Sequence, residues 1–198
     1  MKPLLTGILA VIGLLSCACS TPPTAAQPVK TVTITVRPSV RHSPTAAPTP
    51  ATSSPVAAAC QTRDLTGSVG TPQGTAGGLV LAIAFKNLKA TPCTLSGYPR
   101  VAQAAGNPVT NIGQPAAEDT STPRTLVTLP PGGFASARLK IASAANYLAA
   151  TCRPVKATWL EVIPPNQRTP LHISFGSTAC QGTARLMSVT SVVQGSAG

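Results

Sequence analysis

Acids, aromatics and histidines are the scarce residues of this chain, and each shortage removes a class of chemistry. Asp and Glu total four in 198 residues against 15 Lys and Arg, a formal charge of +11. The four acids are Asp64, Glu118, Asp119 and Glu161, and they offer no carboxylate pair at a spacing useful for glycoside hydrolysis. Two histidines and two methionines, with no Cys-x-x-Cys between residues 60 and 180, leave no metal-ligand pattern for zinc or copper. No cofactor signature stands out either. The glycine-rich stretch 70–78, GTPQGTAGG, lacks the Gly-Lys-Ser/Thr ending of a phosphate loop. The run Thr66-Gly67-Ser68-Val69-Gly70 places its glycines wrongly for a serine-hydrolase elbow. Aromatics make up 3% of the chain and do not interleave with the singly scattered Lys and Arg, which argues against nucleic acid.

What is present begins with an export signal. Lys2 and the apolar run Leu4–Leu15 read as a signal peptide over residues 1–16, too short to span a bilayer as a stop-transfer helix. Leu14-Leu15-Ser16-Cys17 resembles a bacterial lipobox, so Cys17 is the expected lipidation site, its Sγ forming a thioether to diacylglycerol. Leu15 departs from the small residue usual at its position. Cys19 is the rival site, but Ser16 then occupies the place of the lipobox Leu. Residues 17–59 follow as a lipidated cysteine and a disordered linker. From Ser20 to Ala59 this stretch holds eight prolines, much Thr and Ala, and no acid. Such a composition cannot bury enough apolar surface to offset its ordering entropy. Thr31–Val36 alternates like a strand but is flanked by prolines, the Thr/Pro density suits O-glycosylation, and His42 is a solvated side chain.

From Cys60 the composition changes to that of a folded domain, expected over 60–198 and large enough for one core. The organising stretch is 74–99, GTAGGLVLAIAFKNLKATPCTLSGYP. In it Leu79, Leu81, Ile83 and Phe85 alternate with Val80, Ala82, Ala84 and Lys86, so the larger set faces a core. Gly97 is free to take positive φ and Pro99 cannot donate to a ladder, which makes Gly97-Tyr98-Pro99 a turn. Further strands are expected near 65–69, 99–104, 125–129, 134–141, 155–163, 171–175 and 186–193. Residues 105–108 read as a turn, 113–123 as an exposed loop, 142–151 as a helical turn, and Pro130-Pro131-Gly132-Gly133 as a hairpin-like connection. Seven to eight short strands with turn signals between them point to an all-β fold, an immunoglobulin-like β-sandwich.

The cysteines carry the clearest chemistry. In an exported domain Cys60, Cys93, Cys152 and Cys180 are oxidised, and four cysteines allow three pairings. Cys60–Cys93 and Cys152–Cys180 are preferred because each tethers neighbouring strands within one half. Trp159 alternates with Leu160 and Val162 and shares a face with Glu161, which makes it the candidate contact for a sugar or partner, or else a residue covered by a loop or the opposite sheet. His172 sits on a wet strand face, and Tyr98 is expected to pack over the Cys60–Cys93 bridge.

The order Cys60, Gly74-Thr75-Ala76-Gly77, Asn87, Cys93-Thr94-Leu95-Ser96-Gly97-Tyr98-Pro99, Pro131-Gly132, Cys152, Leu160-x-Val162, Pro164-Pro165 and Cys180 resembles an actinobacterial family of secreted or lipid-anchored envelope proteins. These carry a domain of unknown function. The resemblance covers about residues 60–194 and implies a disulfide-bonded β-sandwich in the envelope, with no catalytic residues to carry over. The expected protein is therefore anchored at the outer face of the cell membrane and presents a non-enzymatic binding or structural domain. The alternative is an envelope enzyme of hydrolase type with an unrecognised site. Loss of Lys2 with the signal leaves fourteen basic against four acidic residues, about +10, which suits anionic lipid or an acidic wall polymer as partner.

Overall fold

Residues 57–196 are described by a computed structural model; the expected signal, Cys17, Cys19, the alternating run Thr31–Val36 and His42 lie outside the described residues. The described residues belong to one compact unit. Its strands are β1 (Leu65–Val69), β2 (Gln73–Thr75), β3 (Gly78–Asn87), β4 (Cys93–Ser96), β5 (Arg100–Ala105), β6 (Thr110–Ile112), β7 (Ala117–Asp119), β8 (Leu126–Leu129), β9 (Phe134–Ala142), β10 (Pro154–Ile163), β11 (Leu171–Cys180), β12 (Met187–Thr190) and β13 (Val193–Gln194). Two helical turns, a 3-10 turn at Ala144–Asn146 and an α-helical turn at Ala149–Cys152, lie between β9 and β10. The fold is all-β with two disulfides, Cys60–Cys93 and Cys152–Cys180, the preferred pairing.

Besides β4, which was not among the expected strands, the count exceeds seven to eight because four segments, β2, β6, β7 and β13, are only two or three residues long. They lengthen the sheets without adding the apolar alternation by which a strand is recognised. One sheet runs β1-β3-β9-β12-β7, with β2 also on β3 and β13 also on β9; a second runs β11-β10-β5-β6; β4 and β8 pair alone. All pairings between these strands are antiparallel except that of β7 with β12.

Period two explains the core. Leu81, Ile83 and Phe85 of β3 lie opposite Leu139, Ala137 and Ala135 of β9, and all six are buried. Leu160 and Val162 of β10, Val101 of β5 and Ile173 of β11 complete the same core from the second sheet, and Leu95, Val127 and Leu129 close it from the small one. Gly67 marks how closely the two large sheets approach. A Cβ there would stand 3.0 Å from Ile173 Cδ1 and 3.1 Å from Leu171 Cδ1, so a side chain would require those two methyl groups to give way.

Three expectations are corrected. Residues 130–133 do not close a hairpin: β8 pairs with β4 and β9 with β3, so the segment is a corner between sheets. Two prolines remove ladder donors, and Asn87 captures the corner through Gly132 N–H to its carbonyl and its own N–H to Gly133 O, both 2.9 Å. Residues 113–123 are not all loop. Ala117–Asp119 forms β7, a three-residue edge strand with one partner and no large apolar residue to announce it. The last strand is broken into β12 and β13 at Ser191-Val192. There Val192 is fully buried and donates its N–H to Gly97 O (2.9 Å), while Ser191 Oγ donates to Pro123 O (2.9 Å). Pairing also starts before Cys60: Cys60 N–H donates to Thr94 O and Thr94 N–H to Ala58 O, each at 2.9 Å.

Candidate functional site

Two outward surfaces carry the polar chemistry. The first is the outer face of the seven-stranded sheet. Because Ala137, Leu139 and Ile141 point into the core, alternation sends Arg138 and Lys140 of β9 outward, where they are exposed. Across from them stand Ala82 and Val80 of β3, and Ser188 of β12 lies opposite Lys140. Small neighbours leave the two cations standing above the sheet. Arg138 lines clefts on both sides, one of about 450 Å³ with Thr75, Lys140, Ser188 and Asp119, and one of about 150 Å³ with Thr71 and Gln73. At the far end of the row Lys86 Nζ lies 5.5 Å from the centroid of the Phe134 ring, which is 37% exposed.

Asp119 is the acid lining the larger cleft. Hydrogen bonds from Ser121, from its side chain and then its backbone N–H (3.0 Å to Oδ1), hold the Asp119 carboxyl below its ordinary value of 3.8; slight desolvation opposes them, and the charges of Arg138 and Lys140 act in the same direction. A depressed carboxylate adds stability above its unfolded value, and that stability is lost as pH falls through the lower folded one. At neutral pH Asp119 is therefore ionised and cancels part of the positive field.

The described domain holds eleven Lys and Arg against four acids, a net charge of +7. Its ion pairs use few of these cations: Asp64 with Arg63 and Lys89, and Glu118 with Arg124. Lys86, Arg100, Arg138, Lys140, Arg153, Lys156, Arg168 and Arg185 have no ion pair among the described residues.

The second surface is the outer face of the four-stranded sheet, where Trp159 and Glu161 project from β10. Glu161 lies opposite His172 of β11 and Ala102 of β5, and Trp159 opposite Ser174 and Ala104. The sheet brings together two residues that are distant in sequence: His172 Nε2 is 3.4 Å from Glu161 Oε2. Asn111 of β6 donates from Nδ2 to Glu161 Oε1 at 2.8 Å, a contact the sequence did not reveal because β6 is too short to be read from alternation. Trp159 is half-buried, neither free nor absorbed into the core. Beside this cluster a cleft of about 210 Å³ is lined by Arg100, Asn111, Pro115, Glu161 and Ile163.

Among the described residues the only hydrogen-bond partner of the His172 ring is Glu161, with no hydroxyl or thiol nucleophile bonded to it. Among them too, no three His, Cys, Asp or Glu come together as a metal site, and no helix is long and apolar enough to cross a membrane. Tyr98 sits at the turn after β4 and is half-buried. Its hydroxyl donates to Thr122 O (3.4 Å) and its ring carries Arg124, 4.8 Å from the centroid, because the turn at Gly97 (φ +101°) leads the chain beside residues 122–124.

A family model described as a domain of unknown function, DUF4232, matches residues 60–193. The chain belongs to that family. The match spans both disulfides, both outward surfaces and every buried strand of the two large sheets. No curated protein and no solved structure matches the chain. The DUF4232 domain is thus characterised by its own geometry: a cross-linked sandwich with one cationic and one Trp-bearing face.

Proposed function

We propose that this protein is a lipid-anchored envelope component of actinobacterial type. In this reading Cys17 holds it at the outer face of the cell membrane, and its DUF4232 domain is a non-enzymatic binding module for an anionic ligand, either anionic lipid or acidic wall polymer. The observation that carries the binding role is one sheet face bearing Arg138 and Lys140 above small neighbours, with Lys86 beside the Phe134 ring farther along it, and Asp119 as the acid of the cleft. A cationic residue near an anionic surface contributes on the order of 1 kcal/mol. Three such residues less one acid give about 2 kcal/mol, or roughly 30-fold in affinity, fading over a Debye length of ~8 Å at physiological salt. The linker cations Lys30, Arg37 and Arg41 add to that adhesion from nearer the anchor.

Two experiments test this. Co-sedimentation with anionic vesicles, and separately with a phosphate-rich wall polymer, should detect weak binding at low salt that collapses by a few hundred millimolar. Salt-insensitive binding, or none at low salt, would leave the charge as a solubility feature. Asp119→Asn should strengthen the low-salt binding several-fold by removing the opposing charge. For the anchor, labelled palmitate should disappear with Cys17→Ala and the protein should leave the membrane fraction. Label that is lost with Cys19→Ala instead moves the site by two residues.

A further inference from the structure

The four-stranded sheet supports a second ligand site, independent of the cationic face. Trp159 is the only tryptophan in the chain, and a core built of more than twenty buried residues does not enclose it. Directly across on its two neighbouring strands stand small residues, Ala104, fully buried, and Ser174. Two residues along β10, about 7 Å away, Glu161 presents a carboxylate that is only 19% exposed. It is fixed in position by both of its oxygens, one taking Asn111 Nδ2 at 2.8 Å and the other facing His172 Nε2 at 3.4 Å.

We propose that Trp159, Glu161, Asn111 and His172 form a subsite for a neutral pyranose oligosaccharide, with one ring stacked on the indole and the next hydrogen-bonded in the cleft beside Glu161. The residue types match what such a ligand needs. An indole covers the apolar C–H face of a sugar ring, and a carboxylate, an amide and an imidazole supply acceptors and donors for vicinal hydroxyls. Each carboxylate oxygen of Glu161 has a second lone pair left for a hydroxyl. The cleft's charges offset one another, Glu161 facing Arg100 across the same lining, so its polar groups suit a neutral ligand rather than a phosphate or carboxylate polymer. The cleft, about 210 Å³, has room for a sugar unit.

Because Trp159 is unique, its fluorescence reports this site without a label. Titration of the full chain with cellotetraose and with chitotetraose should give a saturable change with at least one of them, little altered between low and high salt. Glu161→Gln and Asn111→Ala keep the reporter and should each weaken binding roughly tenfold. By calorimetry Trp159→Ala should abolish binding while Trp159→Phe keeps part of it. The proposal fails if neither sugar perturbs the indole at millimolar concentration, or if Glu161→Gln and Asn111→Ala bind as well as the parent. It also fails if the fluorescence responds to a sulfated polymer and loses that response with salt, which would assign the Trp face to electrostatic adhesion. Failure here leaves the salt-dependent binding at Arg138 and Lys140 intact, so the two readings are separable.

Discussion

Asn87→Asp is expected to destabilise the domain by about 3–5 kcal/mol, more than most single substitutions in a fold of this size. Asn87 closes β3 and is fully buried. Its Nδ2 donates to Thr91 O (3.0 Å), Leu129 O (3.1 Å) and Pro130 O (3.3 Å), while Oδ1 accepts from Lys89 N–H (2.9 Å). One side chain thus fixes the loop after β3 and the corner where the chain passes from β8 to β9. Aspartate keeps the acceptor but replaces the donor with a second oxygen, so a carboxylate would face three carbonyls in a fully buried site. Protonation offers a partial escape, which makes the loss smaller at acid pH. Asn87→Ala removes the same bonds without the charge and should cost about 2–3 kcal/mol. Urea unfolding with an unchanged slope is the check. A loss under 1 kcal/mol for Asn87→Asp would mean that the corner is held by its backbone bonds alone.

Loss of either disulfide should be comparably damaging. Cys60–Cys93 closes a separation of 33 residues and Cys152–Cys180 one of 28, and loops of that length predict about 3–4 kcal/mol each from the entropy returned to the unfolded chain. The first bridge joins the entry of the domain to β4, the second joins the Ala149–Cys152 turn to the end of β11. Paired substitutions by alanine separate the contributions, since all four sulfurs are buried and single variants would leave a reactive thiol in the core. Both pairs losing less than about 1 kcal/mol in denaturant titrations would place the stability in sheet packing rather than in the cross-links.

The elements legible in the sequence are those where period two coincides with large side chains. Leu79 to Phe85 alternates and forms a long central strand with the expected face inward, and 134–141 forms β9, where Arg138 and Lys140 face outward but Ser136 is buried. Leu160 and Val162 likewise placed Trp159 and Glu161 on the outer face. Illegible were the pairings that depend on who bonds to a corner. Pro130-Pro131-Gly132-Gly133 reads as a tight hairpin until Asn87, forty residues earlier, is seen to hold it between sheets. The Glu161 cluster was only half visible for a related reason. Its acid and histidine were evident as residue types, but the antiparallel register that sets His172 across from Glu161, and the short β6 that supplies Asn111, are tertiary facts. The cationic face followed the same rule: alternation in β9 exposed Arg138 and Lys140, whereas the opposing Asp119 came from a strand with no sequence signature.

The most direct test of the binding role compares two variants of equal net charge. Arg138→Glu with Lys140→Glu reverses the face above β9, while Lys156→Glu with Arg168→Glu reverses two exposed cations elsewhere that also lack an ion pair. In low-salt co-sedimentation with anionic vesicles and wall polymer, the first variant should lose binding by roughly thirtyfold or more and the second by only a few-fold. Equal losses in the two would contradict a binding face on the seven-stranded sheet and leave only the diffuse charge of the whole domain.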